Sequence, residues 1–143
     1  VAKRLRYKGS LNGTSPIYKY YKVNDNQTLY QGDVGVFSSN KITAGADAAS
    51  AGTVAGVINT PIVTTTATDT DIVAVDINPA SIYEIVYSGT ATPAIGSKYD
   101  FDTAPYTLDS DDTTGGFLQV VGYPDTTNSV VDIILAGRMF GVA

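Results

Sequence analysis

The chain has 143 residues, enough for one ordinary domain with a real hydrophobic core. Its hydrophobic share is 43% and its formal net charge is −5, a balance that argues against wholesale disorder. It contains no Cys and no His, which excludes a disulfide framework, thiolate chemistry, Cys-based zinc sites and the commonest general base.

The charge is unevenly placed. Residues 1–22 (VAKRLRYKGSLNGTSPIYKYYK) hold six basic side chains and no acid, giving +6. The rest has three basic and fourteen acidic groups, giving −11. Such asymmetry reads as a basic arm, residues 1–16, on a single acidic β domain, residues 17–143. A basic arm needs a negative partner. No apolar stretch follows the charges, so the start does not read as a secretory signal. No run of about 18 apolar residues reads as a membrane helix.

Beyond the arm, Thr, Val, Ile and Tyr are abundant and helix formers are scarce. Early strands are expected at residues 17–23, 34–37 and 53–58. Residues 44–56 (AGADAASAGTVAG) read as a loop with at most a turn or two of helix, because Gly45 and Gly52 interrupt the alanines. Residues 71–77 (DIVAVDI) put Val73, Val75 and Ile77 on one face, and Asn78-Pro79 breaks the run. Residues 81–87 (SIYEIVY) put Tyr83, Ile85 and Tyr87 opposite Ile82, Glu84 and Val86. Residues 117–123 and 130–136 flank PDTTNS and read as a hairpin with a longer loop. Many short strands and little helix predict an all-β fold, a small β-barrel or sandwich. The strands at 81–87 and 130–136 are apolar on both faces. That predicts burial on both sides, by barrel closure, by docking, or within a two-layer sandwich.

Chemical motifs are sparse. Asp109, Asp111 and Asp112 in LDSDDTTGG lack EF-hand spacing; a solvated turn is the stronger reading and a calcium loop the weaker. Asp69, Asp71 and Asp76 allow a carboxylate pair of the glycosidase kind, but turn acids at a strand entrance are ordinary. Asn12-Gly13-Thr14 and Asn26-Gln27-Thr28 fit the glycosylation sequon, as chance allows in a Thr-rich chain. Tyr7, Tyr18, Tyr20, Tyr21 and Tyr30 lie near the basic arm, where tyrosines could stack bases of single-stranded nucleic acid. The acidic remainder opposes that, and Tyr is equally a strand and interface residue. No catalytic residue, cofactor or metal is expected.

The order "RYKGSL, QTLYQGDVGVF, AGTVAGVI, YEIVYSGTATPAIGSKYDFD" resembles the small head decoration (cement) proteins of tailed bacteriophages. The resemblance runs through Leu29, Gly32, Asp33 and Val36, then Gly56-Val57, then residues 83–89 and 96–99. It covers roughly residues 3–135, and these are turn residues, not a catalytic signature. The long Ala/Gly loop at 44–52 and the Asp-rich loop at 109–116 depart from the pattern. The resemblance implies a structural virion protein that binds the outer surface of the capsid and stabilises the head. Its partner would be the major capsid protein, and it would be a homo-oligomer, with a trimer favoured. On that reading residues 1–8 are extended and unordered when free, and order on an acidic groove of the shell. Lys3, Arg4, Arg6 and Lys8 would supply charge, with Leu5 and Tyr7 as apolar anchors. A frayed N-terminus is the plain competitor. A carbohydrate- or receptor-binding β module of a fibre or surface protein is the rival class, and an Asp-dependent enzyme a weaker one.

Overall fold

The computed structural model describes residues 4–45, 53–102, 106–114 and 116–137. The fold is all-β, with a closed five-stranded barrel plus further sheets and no helix among the described residues. Thirteen strands follow in order: β1 (Arg6–Ser10), β2 (Tyr18–Lys22), β3 (Thr28–Leu29), β4 (Val34–Ser38), β5 (Lys41–Ala44), β6 (Val54–Ile58), β7 (Ile62–Val63), β8 (Ile72–Asp76), β9 (Ser81–Ser88), β10 (Lys98–Phe101), β11 (Thr107–Asp109), β12 (Leu118–Val120) and β13 (Val130–Leu135).

The barrel runs β9-β11-β10-β12-β13 and closes because β13 also pairs with β9. The length of β9 allows this. One of its edges is filled by β13, through Val86↔Val130 to Tyr83↔Ile133. The other is shared: β1 takes the first half in antiparallel register, and β11 the second half in parallel. Closure leaves fewer unpaired backbone groups on the rim. A second sheet, β2-β8-β6-β4-β5, lies against the barrel, and a small β3-β7 pair flanks it. The ends of the second sheet are drawn together by a parallel bridge between Val23 and Ile42.

Two apolar cores result. The barrel core is rich in aromatic rings, including Tyr83, Tyr99, Phe101 and Phe117. The second core is aliphatic: Val23, Leu29, Ile42, Ala55, Ile58, Val73 and Val75. Strand β6 belongs to both. Val54 and Val57 enter the first core, and Ala55 and Ile58 the second. It is therefore buried along its whole length. Burial on both faces is found in β6 and, over Val73–Asp76, in β8. In β9 and β13 only one face is buried; Ile82, Val86, Val130 and Ile134 on the other are half-exposed.

The expected strands appear with ends shifted by a residue, except that 117–123 shortens to Leu118–Val120, and the PDTTNS hairpin is present. Asp125 organises its loop by accepting from the Thr127 and Asn128 backbone N–H groups at 3.0 and 3.1 Å. The expected loop at 44–56 is narrower than read. Residues 46–52 lie outside the described residues, while Ala44 closes β5 and Val54 opens β6. Strand β5 follows β4 through a two-residue turn, Ser39-Asn40, with φ of 52° and 63°. Two left-handed residues make the turn whose twist suits a hairpin.

The basic arm requires a correction. Residues 4–10 are not a free extension: β1 is a strand of the barrel sheet. Leu5 is 5% exposed, inside the first core. Its backbone N–H donates to the Gly32 carbonyl at 3.1 Å. The segment is ordered because it buries an apolar side chain and pairs its backbone within the chain. The described part of the arm thus belongs to the body. Residues 11–17 connect the two sheets, held by Leu11 N–H on Ala80 O (2.9 Å) and the Asn78 amide on Ser15 O (3.0 Å).

Candidate functional site

Three basic side chains at the start of the chain, Arg4, Arg6 and Lys8, find acids within it. Arg4 Nε donates to Asp33 Oδ1 at 2.6 Å, and the guanidinium lies 4.2 Å from the Tyr30 ring centroid. Asp33 is buried, and its Oδ2 accepts from the Tyr30 N–H at 2.9 Å. Burial raises the Asp33 carboxyl above the usual range, although Tyr30 and Arg4 pull it down. Burial also pushes the neighbouring Tyr106 phenol up. Gly32 makes the approach possible. It sits at φ 92°, and a Cβ there would stand 2.5 Å from the Leu5 carbonyl.

Arg6 and Lys8 share Glu84, the one Glu in the sequence, at 3.0 and 3.5 Å. A bulge between Tyr7 and Gly9 interrupts the β1–β9 register at Lys8. Arg6 is 68% exposed, so these surface pairs contribute little to stability; Asp132 lies across the ladder from Glu84, so two cations meet two acids here. Beside them a groove of about 390 Å³ is lined by Arg4, Arg6, Glu84, Val86 and Val130. Lys3 lies outside the described residues.

A second depression, about 340 Å³, opens where β1 and β2 approach. Tyr7, Tyr18 and Tyr83 line it, with Gln31, Asn59 and Arg6. Tyr7 meets Tyr83 edge-on at 5.6 Å between centroids. The Tyr83 hydroxyl donates to Asp76 Oδ2 at 2.6 Å, and Asp76 Oδ1 accepts from the Ile17 and Asn78 N–H groups at 3.2 and 2.9 Å. Asp76 is therefore a buried structural acceptor. Burial, the Asp76 charge and Tyr7 together raise the Tyr18 phenol. The other tyrosines disperse: Tyr21 packs edge-on against Phe37 at 5.0 Å, and Tyr30 lies against Arg4. Tyr20 remains 67% exposed. Sequence reasoning placed Tyr83 only in a strand core and passed over Gln31 and Asn59. The Gln31-Gly32-Asp33 turn was the available signal for Gln31.

The acidic loops hold backbone. Asp111 accepts from the Thr90 and Ala91 N–H groups at 2.9 Å each, which lowers its carboxyl below the usual range. Asp109 Oδ1 accepts from Asp111 N–H at 3.0 Å, and Asp112 Oδ1 from Thr114 N–H at 3.0 Å. Asp71 accepts from Thr68 N–H at 2.8 Å, while Asp69 pairs with Lys22 at 3.2 Å. Among the described residues no group of three His, Cys, Asp or Glu side chains is arranged to hold a metal. No helix among them is long and apolar enough to cross a membrane. Both sequon asparagines are turn residues: Asn12 accepts from Thr14 N–H at 3.2 Å, and Asn26 has φ 57°. Scanned against protein-family models and compared with curated proteins, the chain matches none.

Proposed function

We propose that the chain is a non-catalytic decoration, or cement, protein of a tailed-phage head. It binds the outer surface of the capsid through the major capsid protein, as a homo-oligomer, with a trimer favoured. The sequence resemblance supports this reading. One observation carries its contact face: the groove beside β9, where the outward Val86–Val130 pair meets Arg4 and Arg6. Arg6 and Lys8 stand there over Glu84, with Asp132 opposite it across the β9–β13 ladder, so a charged rim borders an apolar floor. With Arg6 largely exposed, such a face suits a partly apolar partner that presents a carboxylate to it. The contact is thus assigned to a folded strand and its neighbours, and many copies on one shell add avidity.

The test is co-sedimentation with heads of the phage that encodes the chain, purified without it. Deleting residues 1–8 would remove Leu5 from the core, so charge-neutral variants are cleaner. The wild-type chain should bind saturably. Arg6→Gln/Lys8→Gln should bind about tenfold more weakly, with less salt dependence. Absence of saturable binding by the wild-type chain overturns the function. Unchanged binding by the double variant overturns the face.

A further inference from the structure

We propose that the tyrosine cleft between β1 and β2 binds a neutral saccharide unit. This inference is independent of the head-binding reading. Three aromatic rings reach the cleft from three strands: Tyr7 on β1, Tyr18 on β2 and Tyr83 on β9. The Tyr83 ring is tethered through its hydroxyl to Asp76, and Tyr7 rests edge-on against it. Tyr7 and Tyr18 are still 42% and 43% exposed. Tyr7, seated against Tyr83 and still open to solvent, offers flat apolar area at reduced entropic cost, and the exposed Tyr18 ring adds to it. A pyranose presents such a flat patch of C–H groups.

The polar lining selects among ligands. Neither the Gln31 nor the Asn59 side-chain amide has a hydrogen-bond partner among the described residues. Each amide offers two donors and one acceptor. Hydroxyls, which donate and accept at once, complement that pair without any net charge. Of the charged groups nearby, Arg6 sits at the rim on Glu84, and Asp76 faces inward and accepts at least three hydrogen bonds. An ionic ligand would compete with these contacts, whereas a neutral one would not. The cleft volume of about 340 Å³ is at the small end of ligand sites. It suits one or two sugar rings and is short for an extended peptide. Tyr20 lies two residues from Tyr18 and so projects from the same strand face, where it can receive a second unit.

The experiment is a resonance-by-resonance titration of the isotope-labelled full chain. The probes are glucose, galactose, N-acetylglucosamine and their β-linked disaccharides, up to about 50 mM, which covers the millimolar affinities of so small a contact. At least one probe should shift the amides of Tyr7, Tyr18, Gln31 and Asn59, with little dependence on salt. Tyr18→Ala and Asn59→Ala, at exposed or half-buried positions, should each weaken that binding about tenfold and leave head binding unchanged. Three results overturn the proposal. One is no shift with any probe. Another is equal shifts in wild type and both variants. The third is movement of these resonances on diluting the free protein, which assigns the cleft to contacts between copies.

Discussion

The two cores solve the same problem with different side chains. In the barrel, Phe101 lies between Tyr106 and Phe117, with centroid separations of 5.7 and 5.2 Å and near-perpendicular rings. In the second sheet, β-branched and small side chains from β5, β6 and β8 share a core with Leu29 and Val23, and the aromatic pair Tyr21–Phe37 sits at the margin. A closed ring of short strands such as β11 and β12, three residues each, has few inward positions, so each must fill much volume. The second core is smaller and is filled mainly by aliphatic groups, so each of its side chains fills less volume. Loss of one residue should therefore matter more in the barrel.

Four measurements would break or sharpen that contrast. The largest effect is expected from Phe101→Ala, which should cost about 3–5 kcal/mol. Urea unfolding should show a lower midpoint with the same slope. A cost below that of any second-core truncation would reverse the comparison. Next is the junction between the N-terminal strand and the body. Arg4→Gln should cost about 1.5–3 kcal/mol at neutral pH, because a buried carboxylate loses its charged donor. The Asp33 carboxyl is raised already, so its stabilising share is present below the ordinary carboxylate range and is lost as pH rises through its folded value. Removing Arg4 raises it further. The difference from wild type should thus shrink on acidification, and a pH-independent difference would argue against the buried charge as the cause. Third, Ile42→Val in the second core should cost about 0.5–1.5 kcal/mol. The smallest effect is on the surface. Asp111 has a lowered carboxyl, so its contribution is present above the ordinary range and fades as pH falls through its folded value. Asp111→Asn should flatten the acid limb of the stability profile, and an unchanged limb would show that the Thr90–Ala91 contact is idle.

Strong alternation was legible. Residues 71–77, 81–87 and 130–136 announce β8, β9 and β13, and Val73, Val75, Tyr83, Ile85, Val131, Ile133 and Leu135 are buried, while Ile77 and Tyr87 are only partly so. Strands β3 and β7 were not, since two residues carry no period. Strand β5 was hidden because Ser39-Asn40 lacks the Gly that usually marks its turn type. The most instructive miss is β1. Arg4, Arg6 and Lys8 alternate with Leu5 and Tyr7, which is a strand pattern with a charged outer face. The density of positive charge in this segment masks that period. The acids that hold these cations are distant in sequence: Asp33 lies 29 residues from Arg4, and Glu84 lies 78 residues from Arg6. Local reading finds the charges but not their partners. The same distance hides the cleft, which needs residues 7, 18, 31, 59 and 83 together.

The pairing of β1 with β9 also sets an order in time. During synthesis, Arg6 leaves the ribosome 78 residues ahead of Glu84, its partner across the ladder. At about 5–20 residues per second, β1 waits for several seconds with its hydrogen-bonding edge unfilled. Leu5 and Tyr7 are uncovered for that interval. A waiting strand of this kind is where chains stick to one another, and charges along it are the usual protection. The cations at 4, 6 and 8 would then act twice, first keeping nascent chains apart and later gripping the finished fold. Replacing Arg6 and Lys8 by Gln should accordingly lower the soluble yield on refolding at high concentration more than it lowers the stability of the folded protein.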